Sequence, residues 1–205
     1  MFEASIPAAY FAALAAVYVL PGPDMALVMG MSAVNGTRAG LCCTGGIAAA
    51  RFLHVMASGL GMAALLSSQP GLLRAVCWTG GGYLAWLGWK LWRVAPGEER
   101  QEARTASPWA ATLRGFLTNL LNPKALLFCG LLLPQFVSHE QGPLLPQFAW
   151  LGVFLVLTGC LFDVAYVVTA SGLSRHFRLS TRIGRARNRV MGSFFLALAA
   201  RIVAG

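Results

Sequence analysis

Leu20-Pro21-Gly22-Pro23-Asp24-Met25 interrupts an apolar segment, residues 7–31, long enough to cross a bilayer. Helix breakers and a carboxylate thus stand where lipid forbids both. Unwound backbone persists at membrane depth only where protein or a water-filled cavity surrounds it. An ionisable side chain there marks substrate or ion handling by default. About a hundred residues further on, Asn122-Pro123-Lys124 repeats the arrangement with the opposite charge. Gly22 suits a helix N-cap, Pro23 the first helical position and Asp24 the first turn. Asn122, Pro123 and Lys124 fall into the same three positions. Each restarted helix therefore offers unpaired N–H groups and a positive dipole end, a seat for an anion such as a substrate carboxylate. Asp24 suits an ammonium group or a proton; Lys124 suits Asp24 itself or a carboxylate. The pairing predicts a transporter.

Composition sets the solvent. The chain has 205 residues, 57% hydrophobic and 11% charged, with mean hydropathy +0.65. A soluble domain carries roughly 25% charged residues, so lipid must solvate much of this surface. The class is an all-α integral membrane protein. A net charge of +9 in a soluble protein would point to nucleic acid. Here the basic residues lie between apolar segments and no aromatic-basic motif accompanies them, so no nucleic-acid partner is expected. Cys42, Cys43, Cys77, Cys129 and Cys160 are scattered, with neither C-x-x-C nor zinc-ligand spacing. They read as small hydrophobes, and neither metal nor cofactor is expected. Glu3 is the only charge before Asp24. Without a basic leader region, the first apolar run is expected to be retained as a span.

Six stretches are long enough to span: 7–31, 40–66, 72–92, 115–137, 148–172 and 187–204, the last being shortest and carrying Arg201. The polar segment 94–113 divides a single transmembrane domain, 1–205, into halves 1–93 and 114–205. Arg38 follows span one; Lys90, Arg93, Arg100, Arg104 and Arg114 flank or fill the linker; six arginines lie between 175 and 189. The opposite loops hold only Arg74 and Arg201. That bias puts the linker in the cytoplasm and both termini in the periplasm. Two consecutive three-span units must run in opposite senses, so the expectation is six transmembrane helices as two inverted halves. Each half has its break in its first span, the pattern that marks the binding site of many secondary transporters.

Other polar groups lie within spans. Asp163, with Tyr166 three residues on, must face the bundle interior and suits proton or cation coupling. His54 is suited to switching charge near neutral pH or to bonding a neighbouring helix. Arg51, one turn earlier, is placed to pair with Asp24 or Asp163. Asp24 and Asp163 balance Arg51 and Lys124. Gly45, Gly46, Gly80, Gly81, Gly82 and Gly88 read as packing positions where helices approach closely. An intramembrane enzyme would need a nucleophile-base pair or a metal cluster, and neither stands out. The alternative to a carrier is a structural or partner-binding membrane subunit without transport activity, which has no need of charges at two helix breaks.

Leu20-Pro21-Gly22-Pro23-Asp24, Gly36-Thr37-Arg38-Ala39-Gly40 and Gly46-Ile47 with His54 together resemble the lysine-exporter (LysE/RhtB-type) translocator family. Tyr83 to Trp89, Asn119 to Ala125, Leu133-Pro134-Gln135-Phe136-Val137, and Asn188-Arg189 with Gly192 extend the likeness to the C-terminus. The resemblance implies a multi-pass exporter of amino acids or close derivatives in the bacterial cytoplasmic (inner) membrane, driven by an ion gradient. With Asp163 and His54 as candidate carriers, the expected coupling ion is the proton. Its partners are an amino-acid substrate and membrane lipid, with a homo-oligomer left open. Arg51 departs from the small or aliphatic residue the family leads one to expect, which leaves room for an anionic or bulkier substrate. Gly22, Pro23, Asp24, Asn122, Pro123 and Lys124 are the expected substrate site, and Asp163, His54 and Arg51 the expected ion-coupling set.

Overall fold

The computed structural model describes residues 5–61, 69–93, 107–138, 140, 142–176 and 181–204, and among these every regular element is helical. In chain order they are α1 (Ser5–Val19), α2 (Pro23–Asn35), α3 (Thr37–Gly59), α4 (Pro70–Arg93), α5 (Pro108–Leu120), α6 (Pro123–Leu127), α7 (Leu144–His176) and α8 (Thr181–Ala204). The part of the expected linker at 94–106 lies outside the described residues, whereas 108–113 is already helical, with Ser107 accepting from the Trp109 amide as N-cap.

Both expected breaks are present. The α1 and α2 axes are bent by 52°, and α5 against the helical run from Pro123 to Phe136 by 53°. Local chemistry explains where. Pro21 and Pro23 supply no amide, and a residue preceding proline is driven away from helical dihedrals. Gly22 is accordingly fully extended and Asn122 is in the β region. Each carbonyl then starts the next helix, Gly22 O accepting from Ala26 N and Asn122 O from Leu126 N, both at 3.0 Å. After α6 the chain widens into a π-helical turn, Phe128–Leu132, and tightens into a 3-10 turn, Leu133–Phe136.

By length and apolarity, α3 and α7 each suffice to cross a membrane, and each bent pair suffices as one span, giving two to four spans among the described residues. The expected spans 72–92 and 187–204 fall short of that test. Arg74 and the glycine run Gly80–Gly82 dilute α4, and only Gly192–Ala204 of α8 is an apolar stretch. These two helices pack against each other, Gly88 and Gly192 meeting so closely that a Cβ on either would stand 2.8 Å from the other's carbonyl oxygen.

Two apolar clusters hold the bundle. One joins α2, α3, α4, α7 and α8 through residues such as Val28, Ile47, Leu84, Val167 and Phe195. The other joins α1, α3, α6 and α7 through Tyr10, Leu14, Val55, Leu126 and Leu155. Along α3, Arg51 and His54 lie between Ile47 and Val55; along α7, Asp163 lies between Leu155 and Val167. The fold therefore sandwiches a polar layer between two dry ones.

Close approach at glycine sets the α3–α5 contact. A Cβ at Gly115 would strike the Cys43 carbonyl, and one at Gly46 the Thr112 carbonyl. Because backbone cannot step aside, Gly115→Ala is expected to destabilise the protein by about 1–3 kcal/mol, seen as a lower thermal midpoint in detergent. Gly45, where an added methyl group would meet nothing within 4 Å, serves as control: equal losses for Gly45→Ala and Gly115→Ala would refute this packing account.

Candidate functional site

The polar layer surrounds a cavity of about 40 Å³, room for two or three waters. Gly22 and Asp24 reach it from the first break, Asn122 and Lys124 from the second, Arg51 and His54 from α3, and Asp163 from α7. All four intramembrane charges named from the sequence thus converge on one space. Pro23 and Pro123 are buried beside it without lining it.

Arg51 is the centre of the charge network. It is 3% exposed and Asp163 is 2% exposed. Its Nη1 donates to Asp163 Oδ2 at 2.6 Å and its Nη2 to Asp163 Oδ1 at 3.3 Å, a two-pronged pair. Asp24 Oδ2 lies 3.8 Å from Nη2, an ion pair without a hydrogen bond. The guanidinium carbon sits 4.9 Å from the Tyr18 ring centroid, within cation–π range. Asp24 instead accepts from neutral amides, Asn119 Nδ2 at 2.7 Å and Asn122 Nδ2 at 3.1 Å. The two carboxylates therefore differ: Asp163 is neutralised by direct contact, Asp24 mainly solvated by amides.

Lys124 sits elsewhere than expected. Its Nζ donates to the carbonyls of Val17 at 2.6 Å and Leu20 at 2.8 Å, at the broken end of α1, and no ion pair joins it to Asp24. The Tyr18 carbonyl accepts from the Tyr166 hydroxyl at 2.8 Å. His54 Nε2 lies 3.2 Å from the Asn119 carbonyl, and since a carbonyl only accepts, Nε2 carries the proton. The α6 tip is also a poorer anion seat than the sequence suggests. Its regular helix is one short turn, and Asn122 Oδ1 already takes the Lys124 amide at 3.0 Å.

Asn119 and Tyr18 are the site residues the sequence reading did not single out for a role. Asn119 had a usable signal: it is a carboxamide in an apolar span, one turn before Asn122 and on its face. Its Oδ1 is buried with no hydrogen-bond partner. Tyr18 offered none beyond its place near the break. All five cysteines are free thiols, and among the described residues no three His, Cys, Asp or Glu side chains gather as metal ligands.

Residues 15–205 match the family model of the LysE type translocators. The chain belongs to this family. It is 28% identical over 181 residues to a homoserine/homoserine lactone efflux protein of Salmonella typhimurium, covering 88% of this chain and 87% of that one. It is 30% identical over 188 residues to an uncharacterized membrane protein of Vibrio cholerae serotype O1, covering 87% and 91%. A leucine efflux protein of an Enterobacter species is 26% identical over 188 residues, covering 91% and 89%. No solved structure matches the chain. Among its described residues this translocator carries a buried ion network between α2, α3 and α7.

Removing one partner of a buried pair leaves an uncompensated charge, at about 3–5 kcal/mol. Arg51→Met is therefore expected to lower the thermal midpoint in detergent sharply, and Arg51→Met with Asp163→Leu to recover most of it. A double variant no more stable than the single one would show that Asp163 does not depend on Arg51.

Proposed function

We propose that this translocator is a secondary active exporter of amino acids or close derivatives across the bacterial cytoplasmic membrane, with six spans arranged as two inverted halves. The matching bends of 52° and 53° in the first span of each half support the repeat. The arginine-rich loops support cytoplasmic placement of the linker and periplasmic termini. Relatives carrying the names homoserine/homoserine lactone efflux protein and leucine efflux protein support amino-acid cargo. The observation that carries the reading is the convergence of both breaks and four charges on one cavity. A purely structural subunit has no use for that convergence.

In this reading the substrate ammonium binds Asp24, whose carboxylate takes its hydrogen bonds from neutral amides, with Asn119 Oδ1 as a second acceptor. The cavity holds only a few waters as it stands, so seating an amino acid requires the bent spans to part. Asp163 carries the coupled proton. Once protonated it no longer holds Arg51, which turns to Asp24, 3.8 Å away, and competes with the ammonium. Proton uptake and cargo release are then linked through one guanidinium, and the linkage must be reciprocal.

Asp24→Asn keeps the shape and removes the charge. Counterflow of radiolabelled homoserine and leucine in proteoliposomes is expected to fall roughly 10- to 100-fold, the loss of one charge-assisted hydrogen bond, with the thermal midpoint largely kept. Undiminished exchange by a folded variant would remove Asp24 from the binding site.

A further inference from the structure

In a continuous helix each carbonyl receives the amide four residues on. Pro21 has no amide to give Val17, and Pro123 none to give Asn119. At the first break a side chain from another helix takes the vacant position, Lys124 on Val17 and Leu20; at the second the Asn122 amide turns back onto the Asn119 carbonyl at 3.0 Å, with His54 Nε2 beside it at 3.2 Å. The two breaks also clasp each other. Asp24 and Lys124 are each the second residue of a restarted helix. Asp24 reaches the carboxamides around the second break, and Lys124 reaches the carbonyls ending the first.

We propose that the Val17 and Leu20 carbonyls form a monovalent-cation seat whose resident occupant is the Lys124 ammonium, making Lys124 a positioning residue that locks the two breaks together across the cavity. Three features favour a cation there over a neutral donor. The seat is the C-terminal, electronegative end of α1. Two carbonyl oxygens converge on one nitrogen at 2.6 and 2.8 Å, a geometry an ammonium with three donors satisfies. The Val17 carbonyl is part-buried and Pro21 offers it no amide, so leaving the seat empty is costly. Gly22 fits the same picture, since a Cβ there would stand 3.2 Å from Lys124 Nζ, a contact tight enough that the side chain would have to give by a few tenths of an ångström. The consequence is that Lys124 acts through α1 rather than through the cargo. Only the transport arm of the test rests on the exporter reading.

The test compares wild type, Lys124→Met, Pro21→Ala and the double variant by thermal unfolding in detergent, and Lys124→Ala by counterflow in different cations. Lys124→Met is expected to lower the midpoint by roughly 3–8 °C, the effect of orphaning the part-buried Val17 carbonyl. With Pro21→Ala, residue 21 has an amide for Val17, and the same change should lower it by less than half as much. Counterflow by Lys124→Ala should rise several-fold when N-methylglucamine is replaced by ammonium or methylammonium, while wild type stays indifferent. A Lys124→Met variant that folds only in the Pro21→Ala background supports the seat. Equal losses in both backgrounds together with no response to ammonium would overturn it. Should wild type itself show no counterflow, the exporter reading falls while the unfolding comparison still judges the seat.

Discussion

A backbone carbonyl inside a bilayer can turn only to protein or to a water-filled cavity, so an amide that proline removes has to be replaced from one of the two. An unpaired polar group there costs several kcal/mol. This protein places prolines at 21 and 123, and at both breaks side chains from distant elements reach the carbonyls concerned. Lys124 of α6 and Tyr166 of α7 serve the end of α1, and His54 of α3 serves the end of α5. Each repair is also a tether. The breaks are thereby tied to α3 and α7 as well as to each other.

The same layer holds a buried ion network, which is weak evidence for stability, because desolvation offsets much of the attraction. Well-packed apolar residues would serve a static bundle as well. What the network adds is asymmetry. Arg51 contacts Asp163 directly and Asp24 only at 3.8 Å, with Tyr18 under its guanidinium. Gly159 makes this possible: a Cβ there would collide with Arg51 and stand 2.7 Å from the Tyr18 hydroxyl. In the exporter reading, one cation between two unequal carboxylates supplies the two discrete arrangements that a switch requires.

The breaks were legible because their cause is local: proline acts on its own residue and its neighbour. The convergence of Asp24, Arg51, His54, Asp163 and Lys124 was legible as a set because a bilayer leaves charged groups few places to go. The partner of Lys124 was not, because its acceptors are carbonyls and no residue letter marks an orphaned carbonyl. It becomes readable only by asking which amide Pro21 withholds. Spans 72–92 and 187–204 rest on length. Arg74, the α4 glycines and the polar first half of α8 leave them short of an apolar crossing by composition. The brevity of α6 has no such signal, since Phe128–Leu132 is as apolar as any helical turn and widens all the same.

These strands meet in the relation between the two breaks. A carrier that alternates access must not open both faces at once, so the bends flanking its cargo site have to move in concert. Asp24 holds the second break from the first, and Lys124 holds the first from the second. A change of angle at either bend therefore stretches a bond anchored at the other. In the exporter reading, cargo that claims Asp24 competes with the Asn119 and Asn122 amides and loosens one clasp while the Lys124 clasp remains. The pivot is then the end of α1, and the side of the cavity free to part is the one bounded by Asp24, Asn119 and Asn122.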